Sequence, residues 1–473
     1  MHNLEKMPEE GILLPKNPAS KTRIFFELTE ALEKKEPLFV EGISDSLKSL
    51  LALGFRGKWI LYLCKTEERA KEILQDGKIF AENCLLFPAK DYLFYKADTR
   101  GNYISRERSE CLRQLVEEEE GVLVTTLPAM LEKLEGKNAF RQAVFTVQLG
   151  QTLSLESLQD SLHSLGYQRV DQVESRGEYS LRGGILDVFS NQMEEPLRIE
   201  FFDDEVDSLR YFSLESQRSL EQVEEANIYP VSEQGKPSSL KAFSLLDYLP
   251  KDCLVIVDEP VRVLEEGKRV EEEFIAYFSQ RAEAETTEAN QEKDQRPLDL
   301  FSVRTLMEEC ASRPIFFFSS LGGLSEWSEV FENPLKSISV ECREIPFYGK
   351  QFAQFKGDME KYKKEKVRIS LYSPSQSRAS RLAEELRQEG LSAYCPDTMS
   401  EDREEEENPG SIRVLPRYLR KGFYLPKEKL LVMTEQDLYG QSLAGRKRRK
   451  KKQVESLHIG SLTELHKGDY VVH

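Results

Sequence analysis

Histidine is scarce in this chain and cysteine is never paired. Five histidines occur among 473 residues (His2, His163, His458, His466, His473), and none stands in a GxSxG, HExxH or Cys/His arrangement, so hydrolase chemistry has no support. The seven cysteines (Cys64, Cys84, Cys111, Cys253, Cys310, Cys342, Cys395) form no CxxC pair, which removes zinc-ligand spacing and leaves buried, reduced thiols as the reading. No apolar stretch approaches the roughly 18 to 20 residues that span a bilayer. The N-terminal MHNLEKMPEEGILLPKN has no cationic start ahead of an apolar core, so no membrane partner is expected and the protein is placed in the cytoplasm. Positive charge is in deficit too. With Lys+Arg 66 against Asp+Glu 83 the net charge is -17, and such a surface repels a phosphate backbone as a whole.

What is present is ample core material under a charged surface, with 39% hydrophobic and 32% charged residues. A chain of this length divides into roughly three or four domains. Over about residues 1–135 short apolar runs (Leu38-Phe-Val, Trp59-Ile-Leu-Tyr-Leu-Cys, Leu85-Leu-Phe, Gly121-Val-Leu-Val-Thr-Thr) alternate with amphipathic stretches such as Glu67 to Leu74 and Ser105 to Glu119. That alternation predicts a parallel α/β sheet. The same texture returns over 216–345, where the runs beginning at Cys253 and Pro314 are expected to complete it. Between the halves, over 136–215, the period changes to two: Leu197, Ile199 and Phe201 alternate with Arg198 and Glu200, the pattern of a strand with one wet face, so an α+β module is inserted here. The stretch 283–296 has no apolar anchors and reads as an exposed loop or solvated helix surface. Residues 346–440 form a small α/β domain with strands near 367, 391, 412 and 429, a helix over 376–389 and an acidic loop at 401–410. A linker over 441–461 contains seven consecutive basic residues at 446–452, read as solvated rather than as a nucleic-acid contact. The chain stops inside an apolar strand, Gly468-Asp-Tyr-Val-Val-His, and reads as a piece of something longer.

A phosphate-binding loop belongs after the first strand of such a sheet, where glycines admit phosphate to backbone amides and a Lys-Ser/Thr pair serves phosphate and magnesium. The segment Leu38-Phe-Val-Glu-Gly-Ile-Ser-Asp-Ser-Leu occupies that place with one glycine, no lysine, and Glu41 and Asp45 set against an anion. Nucleotide binding is not expected there. Asp258 and Glu259, at the end of the later strand, resemble magnesium-holding acids without a phosphate partner and are read as relics or helix-capping acids. The densest signal is Arg169 to Phe189, which sets Arg169, Arg176 and Arg182 among turn glycines. Arginine beside an aromatic is hot-spot composition, although exposed pairing with Glu174, Glu178 and Asp187 is the ordinary alternative.

That segment, with Arg198-Ile-Glu-Phe-Phe-Asp-Asp-Glu-Val-Asp-Ser-Leu-Arg and Glu215-Ser-Gln-Arg-Ser-Leu, resembles the excinuclease-B-homology module of bacterial transcription-repair coupling factors. Leu86-Phe-Pro, Gly121-Val-Leu-Val-Thr-Thr and Val255-Ile-Val-Asp-Glu-Pro are similar to the two halves of the family's first domain. Thr434-Glu-Gln-Asp-Leu-Tyr-Gly is similar to the end of its third, and residues 462–473 resemble the opening of its RNA-polymerase-interacting domain. The resemblance implies a degenerate helicase-like (P-loop NTPase-like) α/β domain framing a module that binds the excinuclease A subunit, with Arg169, Arg176, Arg182 and Phe189 at or near that contact. It implies no catalytic residue, metal or cofactor within this chain. ATP, magnesium, most DNA contact and the translocase motor would lie beyond His473. The competing readings are an excinuclease-B-like helicase subunit, which needs an intact phosphate loop at Glu41 to Leu47, and a nucleic-acid adaptor built on the basic run, against which the net charge argues.

Overall fold

The computed structural model describes residues 17–440 apart from 56, 82, 91–97, 143, 191–192, 232–242, 286–299, 350 and 397–409. The acidic loop (but for Gly410), the basic run 446–452 and the segments 441–461 and 462–473 lie outside the described residues.

The first half-domain follows the sequence pattern. Helix α1 (Arg23–Glu33) leads into β1 (Leu38–Glu41), α2 (Asp45–Ala52), β2 (Trp59–Cys64), α3 (Glu67–Phe80), β3 (Cys84–Phe87), α4 (Asp98–Glu117), β4 (Gly121–Thr126) and two short helices, α5 (Leu127–Met130) and α6 (Lys137–Gln142). β2 buries all six of its residues, as a strand covered on both faces must. α3 is started by Thr66, whose hydroxyl accepts from the Arg69 N–H, and by Glu67 and Glu68 in its first turn.

The chain then enters the insert: β5 (Phe145–Gln148), α7 (Leu155–Ser164), β6 (Gln168–Arg169), β7 (Glu178–Arg182), β8 (Ile185–Phe189), β9 (Leu197–Phe202), β10 (Glu205–Phe212), β11 (Ser219–Gln222) and β12 (Glu225–Ile228). Six strands form one sheet in the order β11-β10-β9-β8-β7-β6, and β5 pairs antiparallel with β12 from Phe145↔Ile228 to Gln148↔Glu225. Leu186, Val188, Leu197 and Ile199 pack with Leu158 and Leu162 of α7 and with Val147 and Ile228. The opposite face carries Asp187, Arg198, Glu200 and Arg210, paired with one another. The period-two pattern predicted an end at 215. β11 and β12 carry the unit on to Ile228, and their exposed, polar alternation gave no apolar run to extend the reading.

Past the insert, β13 (Leu254–Asp258), α8 (Pro260–Glu285), α9 (Val303–Ala311), β14 (Ile315–Ser319) and β15 (Lys336–Ser339) complete a seven-stranded, wholly parallel sheet of order β15-β1-β14-β13-β2-β4-β3. β13 and β14 slot between β1 and β2, as the two apolar runs suggested. Polar β15 is an edge strand without a hydrophobic signature.

The last unit comprises β16 (Arg343–Glu344), α10 (Phe352–Lys364), β17 (Arg368–Tyr372), α11 (Gln376–Gln388), β18 (Ala393–Tyr394), β19 (Ile412–Leu415), β20 (Phe423–Leu425), β21 (Leu430–Thr434) and α12 (Glu435–Tyr439). One face of its sheet, with Ile369, Leu371, Val414 and Met433, packs on Phe355 and Met359 of α10 and Leu382 and Leu386 of α11. The other face, with Leu415, Phe423, Leu425, Leu430 and Val432, shares a core with Leu28 of α1 and Leu47, Leu50 and Leu51 of α2. α1 and α2 are therefore a filling between two sheets. Polar contacts border this seam: the Arg23 N–H donates to Glu428 (3.2 Å), the Lys421 N–H to the Ser46 hydroxyl (3.1 Å), and Arg420 pairs with Glu72 (3.0 Å).

Candidate functional site

In an open α/β sheet the ligand crevice lies outside the carboxyl ends of the strands. Here that place is filled with the chain's own charges. Lys48, on α2 and fully buried, donates to Asp258 (2.7 Å) and to Glu259 (2.5 Å). Arg69, on α3, donates to the second Asp258 oxygen (2.8 Å), which the Tyr62 hydroxyl also approaches (3.3 Å). Glu259 turns from β13 into α8 with a left-handed φ of 62°, a conformation that side chains other than glycine adopt at a cost. Its carboxylate also accepts the Ser320 N–H (2.9 Å) and the Ser319 hydroxyl (3.2 Å). Burial pushes both carboxyls up, but Lys48, joined by Arg69 at Asp258 and by Ser320 at Glu259, reverses this and leaves each below the usual carboxylate range. Asp258 is thus the counter-ion of two buried cations and no helix cap, because it sits inside the strand with both oxygens engaged.

Lys48 was missed in sequence because it lies one residue past Leu47. With it, Gly42-x4-Leu47-Lys48-Ser49 keeps the spacing of a phosphate loop, with leucine at the second glycine. That spacing was the signal that could have found it. Chain from the end of β15 crosses the same spot: the Val340 N–H donates to the Glu41 carbonyl (2.9 Å), a Cβ on Gly42 would fall 2.3 Å from the Val340 oxygen, and the Cys342 thiol reaches the Ser44 hydroxyl (3.4 Å). A cleft of about 420 Å³ remains beside the cluster, lined by Lys65, Arg69, Glu72, Arg262 and Arg420. Among the described residues no cluster of three or more His, Cys, Asp or Glu could hold a metal ion.

The second site is the insert. Cross-strand partners share a face, and this sorts the four residues named from sequence. Arg169 pairs with Tyr179, whose ring is in the core, and its guanidinium meets Gln159 of α7 (3.4 Å), so it lies on the helix-covered side. Glu178↔Phe189 and Arg182↔Ile185 lie on the other. Phe189 is only 5% exposed, beneath the Arg176 guanidinium at 4.8 Å from the ring centroid, and lines the same cleft as Arg176. Arg176 donates to the Met193 carbonyl (3.1 and 2.8 Å) beside a cleft of about 610 Å³ that also includes Glu174, Glu194, Glu195 and Glu215. Arg182 donates to the Asp171 carbonyl. Two of the carboxylates that the local charge pattern offered have partners of their own: Asp187 pairs with Arg198 (2.7 Å), and Glu178 accepts the N–H groups of Glu174 (2.9 Å) and Ser175 (2.8 Å). Arg176 sits in the turn that leads into β7 and Arg182 is the last residue of that strand, so the two flank it.

Against known proteins, the profile of the UvrB interaction domain matches residues 145–233, the span from β5 to just past β12. The transcription-repair-coupling factor of Bacillus subtilis (strain 168) is 25% identical over 92% of this chain and 42% of its own length. That of Staphylococcus aureus (strain USA300) is 24% identical over 84% of the chain and 37% of its own. The chain thus spans about two fifths of the length of these relatives. Nearly all of it is similar to one portion of the transcription-repair-coupling factors, and within that portion residues 145–233 are similar to the UvrB interaction domain.

Proposed function

We propose that this chain is the N-terminal docking and regulatory region of a transcription-repair coupling factor, recruiting the excinuclease A subunit to stalled RNA polymerase in transcription-coupled nucleotide excision repair. In this reading the parallel-sheet domain is a helicase-like frame that takes no nucleotide. ATP, magnesium, DNA translocation and RNA-polymerase contact belong to regions of the longer relatives outside the matched share. The observation that carries the proposal is a contrast in how cations are held. Lys48 and Arg69, the groups that would meet a phosphate, are already bound to buried carboxylates, whereas Arg182 is held by a main-chain carbonyl and exposed beside strand partners on the insert. Carbonyls orient a guanidinium without cancelling its charge, which suits a surface that meets an acidic protein partner.

Calorimetry of the chain with purified excinuclease A, and separately with Mg-ATP, tests this. Excinuclease A binding that charge reversal at Arg176 and Arg182 weakens, with no heat from ATP, is the expected result. ATP binding without excinuclease A binding would instead favour the excinuclease-B-like helicase reading.

A further inference from the structure

Three exposed side chains line up at one end of the insert's open face. Arg182 of β7 is the direct partner of Ile185 on β8, and Ile185 is the direct partner of Glu200 on β9. Phe202 lies two residues beyond Glu200 and so projects to the same side as the diagonal neighbour of Ile185, at roughly 5.5 to 8 Å. Phe202 is 78% exposed and Ile185 39%, a neighbouring pair of apolar side chains at the ends of the two central strands of the sheet. The turn beside the row is bare. Gly183 (φ 60°) has nothing within 4 Å of where a Cβ would be, and Gly184 has only the Phe201 oxygen, at 3.0 Å, so a partner's surface can approach the backbone closely. Beyond Phe202 the hairpin turn supplies exposed Asp203, Asp204 and Glu205. The row therefore reads cation, apolar pair, acids.

We infer that Ile185 and Phe202 are the apolar anchor of the docking surface and that Arg182 and Asp203–Glu205 fix its orientation. The partner site they fit is an aliphatic or aromatic pocket with a carboxylate on one rim and a lysine or arginine on the other. This inference rests on the proposed function and assigns that pocket to the excinuclease A subunit. A buried aromatic core with charged groups at its margins is the usual energetic plan of a protein–protein contact, and the opposite signs at the two ends of the row allow one direction of approach and penalise its reverse.

The test compares the wild-type chain, the double variant Ile185→Ser/Phe202→Ser and the single variant Phe202→Ser, each by calorimetry against excinuclease A, with thermal melting as a control. Phe202 is 78% exposed and Ile185 39%, so melting is expected to stay unchanged in the single variant and to shift little in the double one, while the double variant binds about thirty-fold more weakly and the single variant falls between. A wild-type chain that does not bind excinuclease A removes the docking reading and this inference together. Binding that is weakened by charge reversal at Arg176 but untouched by the double variant overturns the inference alone and leaves the docking reading standing. A wild-type chain that self-associates in sedimentation and becomes monomeric in the double variant, with excinuclease A affinity unchanged, also overturns it, in favour of a second copy as the occupant.

Discussion

The strand ends of the seven-stranded sheet and the open face of the insert both gather arginines and carboxylates within one or two strands of each other, yet the two regions leave opposite amounts of charge for a ligand. At Lys48, Arg69, Asp258 and Glu259 each charge is matched by another within the protein, and Lys48 and Asp258 are buried. On the insert the pairs Arg198–Asp187 and Arg210–Glu200 cancel at the centre, while Arg182 and the acids of the β9–β10 turn remain at the margin. A buried ion that loses one partner is left with its desolvation cost, whereas a surface ion that loses one is simply hydrated. The same residue types are therefore structural in one place and available in the other.

Lys48→Met is the strongest way to break this comparison. It leaves Asp258 with Arg69 alone and Glu259 without its cation, so denaturant unfolding should report a loss of about 3–5 kcal/mol; a loss below about 1 kcal/mol would mean the cluster is hydrated and open to ligands. The acid limb sharpens the same point. The carboxyl of Asp258 titrates lower folded than unfolded, so its contribution is present at neutral pH and above, and is lost only as pH falls below about 4. Second in size is Arg182→Glu, which should weaken excinuclease A binding by about 2 kcal/mol, or thirty-fold, with stability within about 0.5 kcal/mol of wild type.

Asp76 on α3 moves stability the other way. It is 1% exposed, and burial pushes its carboxyl up to about 6, with the Ser49 hydroxyl, Arg420 and Arg69 offsetting part of this and Glu72 adding to it. A folded value above the unfolded one means that the contribution of Asp76 to stability is greatest below about pH 4 and declines as pH rises through about 6. Asp76→Asn should therefore stabilise the protein by about 1–2 kcal/mol at pH 7, with the gain vanishing near pH 4 in paired urea titrations. The smallest change is expected for Arg420→Ala. Its pair with Glu72 is partly exposed, and the apolar seam beneath it holds the two units together, so a loss of no more than about 1 kcal/mol is expected.

Much of the fold was legible because burial imposes patterns that a sequence must show. β2, β13 and β14 are continuous apolar runs, since helices cover both of their faces, and β9 alternates because one face is wet. β15 and β11 left no trace because edge strands are polar and their register is set by a neighbour. The sequence also gave no hint that Leu415, Phe423 and Leu425 serve two units at once. A strand buried against a foreign helix has the same period as one buried against its own. At the candidate site, the arginines were visible but their sides were not. Arg169 and Arg182 look equivalent in one dimension, and only the pairing of β6 with β7 puts them on opposite faces. Lys48 was hidden by a leucine where a glycine would have completed a familiar motif.

The zipped pair of β5 and β12 has a consequence for how the chain folds. The first domain cannot finish its sheet until β13 and β14 arrive from beyond the insert, and closing so long a disordered loop would cost about 4 kcal/mol of chain entropy. If the insert folds first, Phe145 and Ile228 are held as cross-strand neighbours, and the loop left to close is only the two segments that join them to β4 and β13. The order expected from this is the insert first and the split sheet around it, so that a slow step in the insert would slow the whole domain in stopped-flow refolding.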